Sequence, residues 1–372
     1  MTWKQWTEQE LEIVRAAGQW RAPRDFDAAG VEGKLGPDGQ PVVAFASNDY
    51  LGLTQHREVI AAAHHALDRW GTGSGSARLI VGTRPVHREL EEELADWRET
   101  EAATVFPTGF AANLGVLATF ADSETLVVSD ELNHASIIDG CRLARADVAI
   151  ARHGDPEHVD ELLKRASGRR AIVVTDAVFS MDGDLAPLNE LAEVCTRNGA
   201  LLVVDEAHSV ISPAVEYGEA EVLRVGTLSK TLGALGGFVA GPRAAVDLIV
   251  NRSRAYIFTT APTPADMAAA LAALKIVRSQ EGDALREILR SRVRQLQPEI
   301  KSPASPIIPI RFGTEQATLG AAAALLKQGF LVPAIRPPTV PVGTSRLRIA
   351  LSATHSAEQV DALARALIAL RS

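Results

Sequence analysis

Short apolar runs that alternate with helical segments fill the chain between about residue 100 and residue 241. Leu201–Val204 is a continuous apolar run with the length of one strand, and Val222–Val225 is a second short run. Such runs are typical of the buried strands of a parallel sheet. The repeated strand–turn–helix order therefore predicts an α/β fold with a mostly parallel sheet.

Polar residues follow both runs directly: Asp205, Glu206, His208, Thr227, Ser229 and Lys230. Open α/β sheets bind their ligands at the carboxyl ends of the strands. A helix cap formed by Asp205 and Glu206 would explain the first motif alone, and a solvated surface lysine at Lys230 would explain the second. Because both motifs close an apolar strand, the sequence favours an active site at this edge of the sheet.

This set of groups meets the needs of one cofactor, pyridoxal phosphate (PLP). A lysine amine such as that of Lys230 forms a Schiff base with the PLP aldehyde. A carboxylate such as that of Asp205, facing the pyridine nitrogen, keeps the ring protonated and able to accept electrons. A histidine can hydrogen-bond the phenolic oxygen, and a hydroxyl near the lysine can hold the phosphate. The sequence therefore predicts a PLP site.

Further candidates follow other predicted strands. Gly109 and Phe110 begin a helix, where free backbone N–H groups and the helix dipole favour an anion such as a phosphate. An ordinary helix cap at Thr108 explains the same segment equally well. His134 and Ser180 follow two more predicted strands. They are candidate site residues because each lies at the same predicted sheet edge.

Composition limits the classes of function that the chain can have. Its 372 residues are enough for two domains, and its net charge of -8 argues against a broad nucleic-acid surface. Cys141 and Cys195 lack metal-ligand spacing, so we expect buried thiols in a reducing compartment and no metal. The N-terminus lacks a signal-peptide pattern and no apolar run could span a bilayer, so we predict a cytoplasmic protein without a membrane partner.

The residue composition and pattern along the chain predict three regions. Residues 1–43 would form an N-terminal arm with an apolar helical stripe, as part of the small domain. Residues 44–242 would form the large PLP-binding domain, and residues 243–372, which are rich in Ala and Leu helices, a small α+β domain.

Many sequence segments occur in an order that matches a known family: SNDYLGL, GTGSGSARLIVGT, HRELEEELADW, FPTGFAANLG, SDELNHASIIDG, VFSMDGDLAPL, VVDEAHS, GTLSKTLGALGG and GTSRLRIALSATH. Over nearly the whole chain they resemble the α-oxoamine synthases, PLP enzymes of the aspartate-aminotransferase fold (fold type I). The tract AIRPPTVPVGTSRLR is most similar to the members that act in biotin biosynthesis. The resemblance implies an acyltransferase that condenses L-alanine with pimeloyl-CoA or a pimeloyl acyl carrier protein and releases CO₂.

The resemblance implies a role for each residue around the cofactor ring. Lys230 would bond the cofactor and move the α-proton of the amino acid. Asp205 would pair with the pyridinium nitrogen, and His134 would stack on the ring face. His208 and Ser180 would bind the phenolic oxygen.

The phosphate and the substrates have their own implied residues. Gly109, Phe110 and Thr227 would hold the phosphate, together with Thr259 or Thr260 from the neighbouring subunit of a homodimer. The substrate-binding residues would be Arg21, Asn48, Arg348 and Ser352, with the amino-acid carboxylate on Arg348 and the acyl substrate near Arg21.

Two segments depart from the family pattern. The loop SVISPAVEYGEAEVLRV after His208 is shorter than usual and lacks the glycine-rich form G-x-x-G-x-x-G-R-G. Thr175-Asp176-Ala177 stands where an acidic-Ser or acidic-Gly pair is more usual.

Two alternative functions stay open: a condensation of glycine with acetyl- or succinyl-CoA, and a non-catalytic regulator on the same fold.

Overall fold

The computed structural model describes residues 1–165, 168–300 and 304–370. Two compact units make up the chain. The large unit contains Ser47–Ile308 and Ala350–Asp361, and the small unit contains Met1–Ala46, Pro309–Ile349 and the chain from Ala362 onward. The division at residues 43 and 242 that the sequence suggested stays a prediction.

The strands of the described chain are β1 (Phe26–Ala28), β2 (Glu32–Leu35), β3 (Gln40–Ala44), β4 (Ala102–Phe106), β5 (Thr125–Asp130), β6 (Asp147–Ala151), β7 (Arg170–Asp176), β8 (Leu201–Asp205), β9 (Val222–Thr227), β10 (Gly237–Gly241), β11 (Ile307–Gly313), β12 (Phe330–Leu331), β13 (Ala334–Ile335) and β14 (Ser345–Ala350). The helices are α1 (Trp3–Ala16), α2 (Arg57–Trp70), α3 (Pro85–Trp97), α4 (Gly109–Phe120), α5 (Ala135–Ala144), α6 (Pro156–Lys164), α7 (Leu188–Asn198), α8 (Arg243–Arg252), α9 (Arg254–Ile257), α10 (Pro264–Val277), α11 (Gln280–Leu296), α12 (Glu315–Lys327) and α13 (Ala357–Ala369).

A seven-stranded sheet forms the centre of the large unit, in the order β4-β10-β9-β8-β7-β5-β6. The pairs from β9 to β6 are parallel, and β10 runs antiparallel to both of its neighbours. The predicted α/β class with a mostly parallel sheet is therefore confirmed. Two smaller sheets have the orders β1-β2-β3-β12, within the small unit, and β11-β14-β13.

The strand β8 has apolar residues on both faces because helices cover both sides of the sheet. Leu202 and Val204 pack into the hydrophobic cluster that includes Leu188 and Leu191 of α7. Val203 points the other way, into the cluster that includes Val116 of α4. This alternation explains why a buried parallel strand reads as a continuous apolar run.

The neighbouring strand β9 carries a charged residue in its interior for a specific reason. Leu223 and Val225 both pack on the α4 side of the sheet. Arg224, between them, binds Glu206 through Nε at 2.8 Å and through its terminal nitrogen at 2.7 Å. Glu206 is also 3.2 Å from the Arg98 guanidinium. The glutamate after β8 therefore joins an ion-pair network, and the chain after β8 continues in turns rather than in a capped helix.

Both cysteines are free thiols inside the large unit. Burial raises the pKa of Cys141 to about 11 and that of Cys195 to about 12. Within the described residues, no helix is long and apolar enough to cross a membrane, and no three His, Cys, Asp or Glu residues are grouped to bind a metal.

Candidate active site

The Asp205 carboxylate lies at the carboxyl end of β8 and is 6% exposed. Its Oδ2 accepts a hydrogen bond from Asn113 Nδ2 at 2.6 Å, and its Oδ1 accepts one from the Ala207 backbone at 2.9 Å. Asn113 lies on α4, which packs against the neighbouring strands β9 and β10. The carboxylate is therefore held in one orientation by two donors.

His134 precedes α5 and acts as its N-cap. Its ring Nδ1 lies 2.7 Å from Ser136 Oγ, and the Phe110 ring meets it edge-on at a centroid distance of 6.4 Å. Burial lowers the pKa of His134; the charge of Asp205 raises it, and that of Lys230 lowers it. The structure thus brings His134, Asp205 and Lys230 within electrostatic reach of one another.

Asp176 is a buried carboxylic acid at this site that the sequence analysis did not select. It ends β7 and is the register partner of Asp205 on β8. Its Oδ2 accepts a hydrogen bond from the His134 backbone at 2.8 Å. Burial and the nearby Asp205 charge raise the pKa of Asp176 well above its usual range. The Asp176 carboxyl therefore holds a proton more readily than an exposed aspartate does.

His208 lies beside a loop from the start of the large unit. Its Nδ1 is 2.6 Å from the Tyr50 hydroxyl, which donates to Asn48 Oδ1 at 3.1 Å. The Tyr50 hydroxyl therefore bridges His208 and Asn48. Ser352 Oγ donates to the Asp49 carbonyl at 2.8 Å in the same loop. Of the residues selected from the sequence, His208 and Asn48 are thus tied together through Tyr50, which was missed, and Ser352 joins the same loop through Asp49.

The beginning of α4 fits a phosphate. The first amides of a helix have no partner within it, so those of Gly109 and Phe110 are suited to bind an anion. A Cβ atom on Gly109 would lie 3.2 Å from Thr227 Cβ, which places the end of β9 against the helix start. Thr227 Oγ1 and Ser229 Oγ are 2.7 Å apart. Amides and hydroxyls therefore converge where the PLP phosphate would bind, and the donor set fits this cofactor.

Glycine is required where β10 meets the start of α4. A Cβ atom on Gly237 of β10 would lie 2.5 Å from the Gly109 backbone nitrogen. No side chain fits into that space without moving the start of α4, because a real Cβ atom does not approach a backbone atom so closely. Gly237, the last residue of the segment GTLSKTLGALGG, therefore allows the helix to approach the sheet.

Thr259 and Thr260 lie next to the glycine-rich tract. Thr260 forms an isolated bridge with Ala77, and the Ala261 amide donates to the Ser76 carbonyl at 2.9 Å. Their binding of a phosphate across a dimer stays a prediction.

Arg348 and Arg21 belong to the small unit. Arg348 is buried within β14, and its backbone nitrogen donates to the Pro333 carbonyl at 3.1 Å. The Arg21 guanidinium donates to the Pro337 carbonyl at 3.2 Å. Their binding of substrates stays a prediction.

The turn that carries Ser180 is held by a histidine. His153 Nδ1 lies 3.0 Å from Asp130 Oδ1, and its Nε2 lies 2.6 Å from Asp184 Oδ2. Its ring also meets the Phe179 ring edge-on at 4.3 Å. Because Phe179 and Asp184 flank Ser180, His153 fixes both ends of this turn to the end of β5.

Stability should depend on the charge of His153. Partial burial lowers the pKa of His153, but the hydrogen bonds and charges of Asp184 and Asp130 raise it more, so the net shift is upward. The stabilisation is then fully present below the unfolded-state pKa of about 6.5 and is lost as the pH rises through the higher folded-state pKa. His153→Gln should lower the free energy of unfolding by about 1 kcal/mol in mild acid and by less in mild alkali.

Urea unfolding of the wild type and the variant at both pH values measures this difference. His65→Gln, on the exposed surface of α2, is the matched control. An equal loss of stability at both pH values in His153→Gln would contradict an ionic role for His153.

The family profile described as aminotransferase class I and II matches residues 40–367. A curated 8-amino-7-oxononanoate synthase from Anaeromyxobacter dehalogenans strain 2CP-1 is 48% identical, over 98% of this chain and 95% of the relative. Another, from Methylobacterium sp. strain 4-46, is 44% identical over 93% of this chain and 94% of the relative. A solved serine palmitoyltransferase from S. paucimobilis, with a bound PLP–myriocin aldimine, superposes with a TM-score of 0.90 at 29% identity and covers 98% of this chain and 96% of that one.

Proposed function

Since the chain belongs to the aminotransferase class I and II family, we propose that it condenses L-alanine with a pimeloyl thioester to give 8-amino-7-oxononanoate, CO₂ and the free thiol. The observation that carries this proposal is the 48% identity to a synthase of that name along nearly the whole of both chains. The enzyme is an acyltransferase of biotin biosynthesis, and the resemblance of its ordered segments to the α-oxoamine synthases is confirmed.

The enzyme depends on PLP and has the fold type I architecture predicted from the sequence. When bound, PLP supplies a protonated ring that accepts the electrons of a carbanion at the amino-acid α-carbon. Asp205, which is buried and accepts hydrogen bonds from Asn113 and the Ala207 backbone, would hold a proton on the ring nitrogen. Thr227 and the start of α4 would hold the phosphate.

In this proposal Lys230 transfers protons and Arg348 orients the bound alanine. Arg348 would grip the alanine carboxylate through two parallel hydrogen bonds and so fix the direction of the Cα–H bond. Lys230 Nζ would bond the cofactor in the resting enzyme and take the α-proton of the bound amino acid. His134 would cover the ring face and exclude water from it.

The bond changes in the substrates then balance. The alanine α-carbon bonds to the acyl carbon of the thioester, the C–S bond breaks, and the thiolate leaves and takes one proton from solvent. The carboxyl group leaves as CO₂, and a proton returns to the α-carbon. Lys230 Nζ would supply that proton because the same atom would have received one in the first step.

A homodimer completes this proposal. Thr259 and Thr260 would reach the phosphate of the partner's site, beside the tract Gly71–Thr83. The cytoplasmic location inferred from the sequence stays a prediction.

A substrate comparison tests the proposed function. PLP-loaded protein is mixed with L-alanine or glycine and with pimeloyl-CoA, a pimeloyl acyl carrier protein, acetyl-CoA or succinyl-CoA, and thiol release and CO₂ are followed. With a pimeloyl thioester, we expect kcat/KM to be about 10- to 200-fold higher for alanine than for glycine. The two amino acids differ by one methyl group, and one methyl group in a fitted pocket contributes about that much.

Each alternative has its own outcome in this comparison. A preference for glycine with acetyl- or succinyl-CoA would contradict the proposed substrates while leaving the chemistry in place. Absence of thiol release with every pair would favour the non-catalytic regulator.

A further inference from the structure

Two buried polar side chains join the Asp205 carboxylate to the His134 ring. Asn113 Nδ2 is 2.6 Å from Asp205 Oδ2 and 2.9 Å from Ser136 Oγ. Ser136 Oγ is in turn 2.7 Å from His134 Nδ1. Asn113 is 1% exposed and Ser136 is fully buried, so bulk water does not compete for these hydrogen bonds.

The proton positions in this series of hydrogen bonds follow from the Asp205 carboxylate at one end. An ionised carboxylate can only accept, so the amide nitrogen of Asn113, and not its oxygen, faces Asp205. The buried Asn113 Oδ1 has no hydrogen-bond partner among the described residues, which agrees with an amide oriented by its NH₂ group. The amide therefore donates at both of its nitrogen contacts.

Hydrogen-bond donation runs in the same direction from Ser136 to the His134 imidazole. Ser136 Oγ accepts from Asn113, so its own proton is available for His134 Nδ1. The Ser136 backbone N–H points at the same ring atom from 3.3 Å. With two donors aimed at Nδ1, that nitrogen is an acceptor and the ring proton sits on Nε2.

We propose that Asn113 and Ser136 are positioning residues that orient the Asp205 carboxylate and fix His134 as the neutral tautomer protonated at Nε2. This inference rests on the proposed function only where it places Asp205 and His134 against the cofactor. Burial lowers the pKa of His134, which agrees with a neutral ring. The charged groups that act on the ring are Asp205 and Lys230, and Asp176 accepts from the His134 backbone.

The two residues differ in what their loss removes. Asn113→Ala removes a donor from Asp205 and also frees the Ser136 hydroxyl to turn away from His134. Ser136→Ala removes the hydroxyl that lies between Asn113 and His134 and leaves the 2.6 Å contact between Asn113 and Asp205 in place. The cofactor affinity and the tautomer of the ring therefore separate the two roles.

The tautomer is read in the PLP-free protein by ¹⁵N NMR of labelled histidine, with the His134 signals identified by their loss in His134→Gln. We expect one tautomer with hydrogen on Nε2 in the wild type at neutral pH, and a mixture of tautomers in Asn113→Ala and Ser136→Ala. The control is Ser253→Ala, a serine that is 1% exposed and whose hydroxyl lacks a hydrogen-bond partner in the described chain.

A PLP titration of the PLP-free protein gives the second readout. Asn113→Ala should bind PLP about tenfold more weakly, as expected for the loss of one hydrogen bond to a charged group, and Ser136→Ala should bind it nearly as the wild type does.

Several results would overturn the inference. Hydrogen on Nδ1 in the wild type would do so without any variant, so a variant that fails to fold does not protect the proposal. An unchanged tautomer in both folded variants would have the same meaning. A wrong substrate assignment would instead appear in the thiol-release comparison while the wild-type tautomer stayed as expected.

Discussion

Lys230→Ala is expected to reduce turnover by at least about 10³-fold, because it removes both the proposed point of covalent attachment and the proton carrier. Lys230 follows β9 by three residues, and its charge acts on His134 and on Asp176. The variant should also lose the visible absorption of the attached cofactor. Thiol release and the absorption spectrum of the PLP-loaded protein measure both effects.

Two further experiments separate attachment from proton transfer. Borohydride reduction of the wild type followed by peptide mapping should locate the cofactor at position 230, and a small primary amine in solution should partly restore turnover to Lys230→Ala. Lys275→Ala, at an exposed position of α10, should behave as the wild type does. Cofactor found on another lysine, or turnover that survives in Lys230→Ala, would remove the basis of the mechanism.

The strand ends could be predicted because burial on both faces leaves a readable pattern. Leu201–Val204 shows that pattern without interruption, and it became β8 with Asp205 at its carboxyl end. Once both motifs are placed at one sheet edge, the approach of Lys230, Asp205 and His134 follows from the topology. The partner of Arg224 could not be predicted, because the ion pair with Glu206 depends on how two strands and a helix meet in space.

The residues that hold the site's side chains in place were missed for a related reason. Tyr50 lies in a loop, and its contact with His208 joins residues 158 positions apart. Asp176 became notable only when the register paired it with Asp205. Asn113 did leave a signal, since it is the one amide side chain in a mainly apolar helical segment, AANLGVLATF. A buried amide at that position requires polar partners, and this requirement could have directed attention to the end of β8.

Asp205→Asn is expected to have the second largest effect, because it removes the negative charge proposed to face the cofactor ring. Breaking a buried charge pair costs about 3 kcal/mol, so PLP should bind on the order of 10²-fold more weakly, with turnover reduced at least as much. The Asp205 charge also contributes to the raised pKa of Asp176. The variant should therefore lower the pKa of Asp176 and let that carboxyl ionise more readily.

Asp176→Asn is the matched control, since it removes an acid at the register partner of Asp205. An asparagine oxygen at position 176 can still accept the hydrogen bond from the His134 backbone, so turnover should change little. PLP titrations and thiol release on both variants and on the double variant decide which carboxyl serves the ring. If Asp176→Asn abolished turnover while Asp205→Asn retained it, the ring nitrogen would face the carboxyl on β7, and the orientation proposed for the cofactor would have to be abandoned.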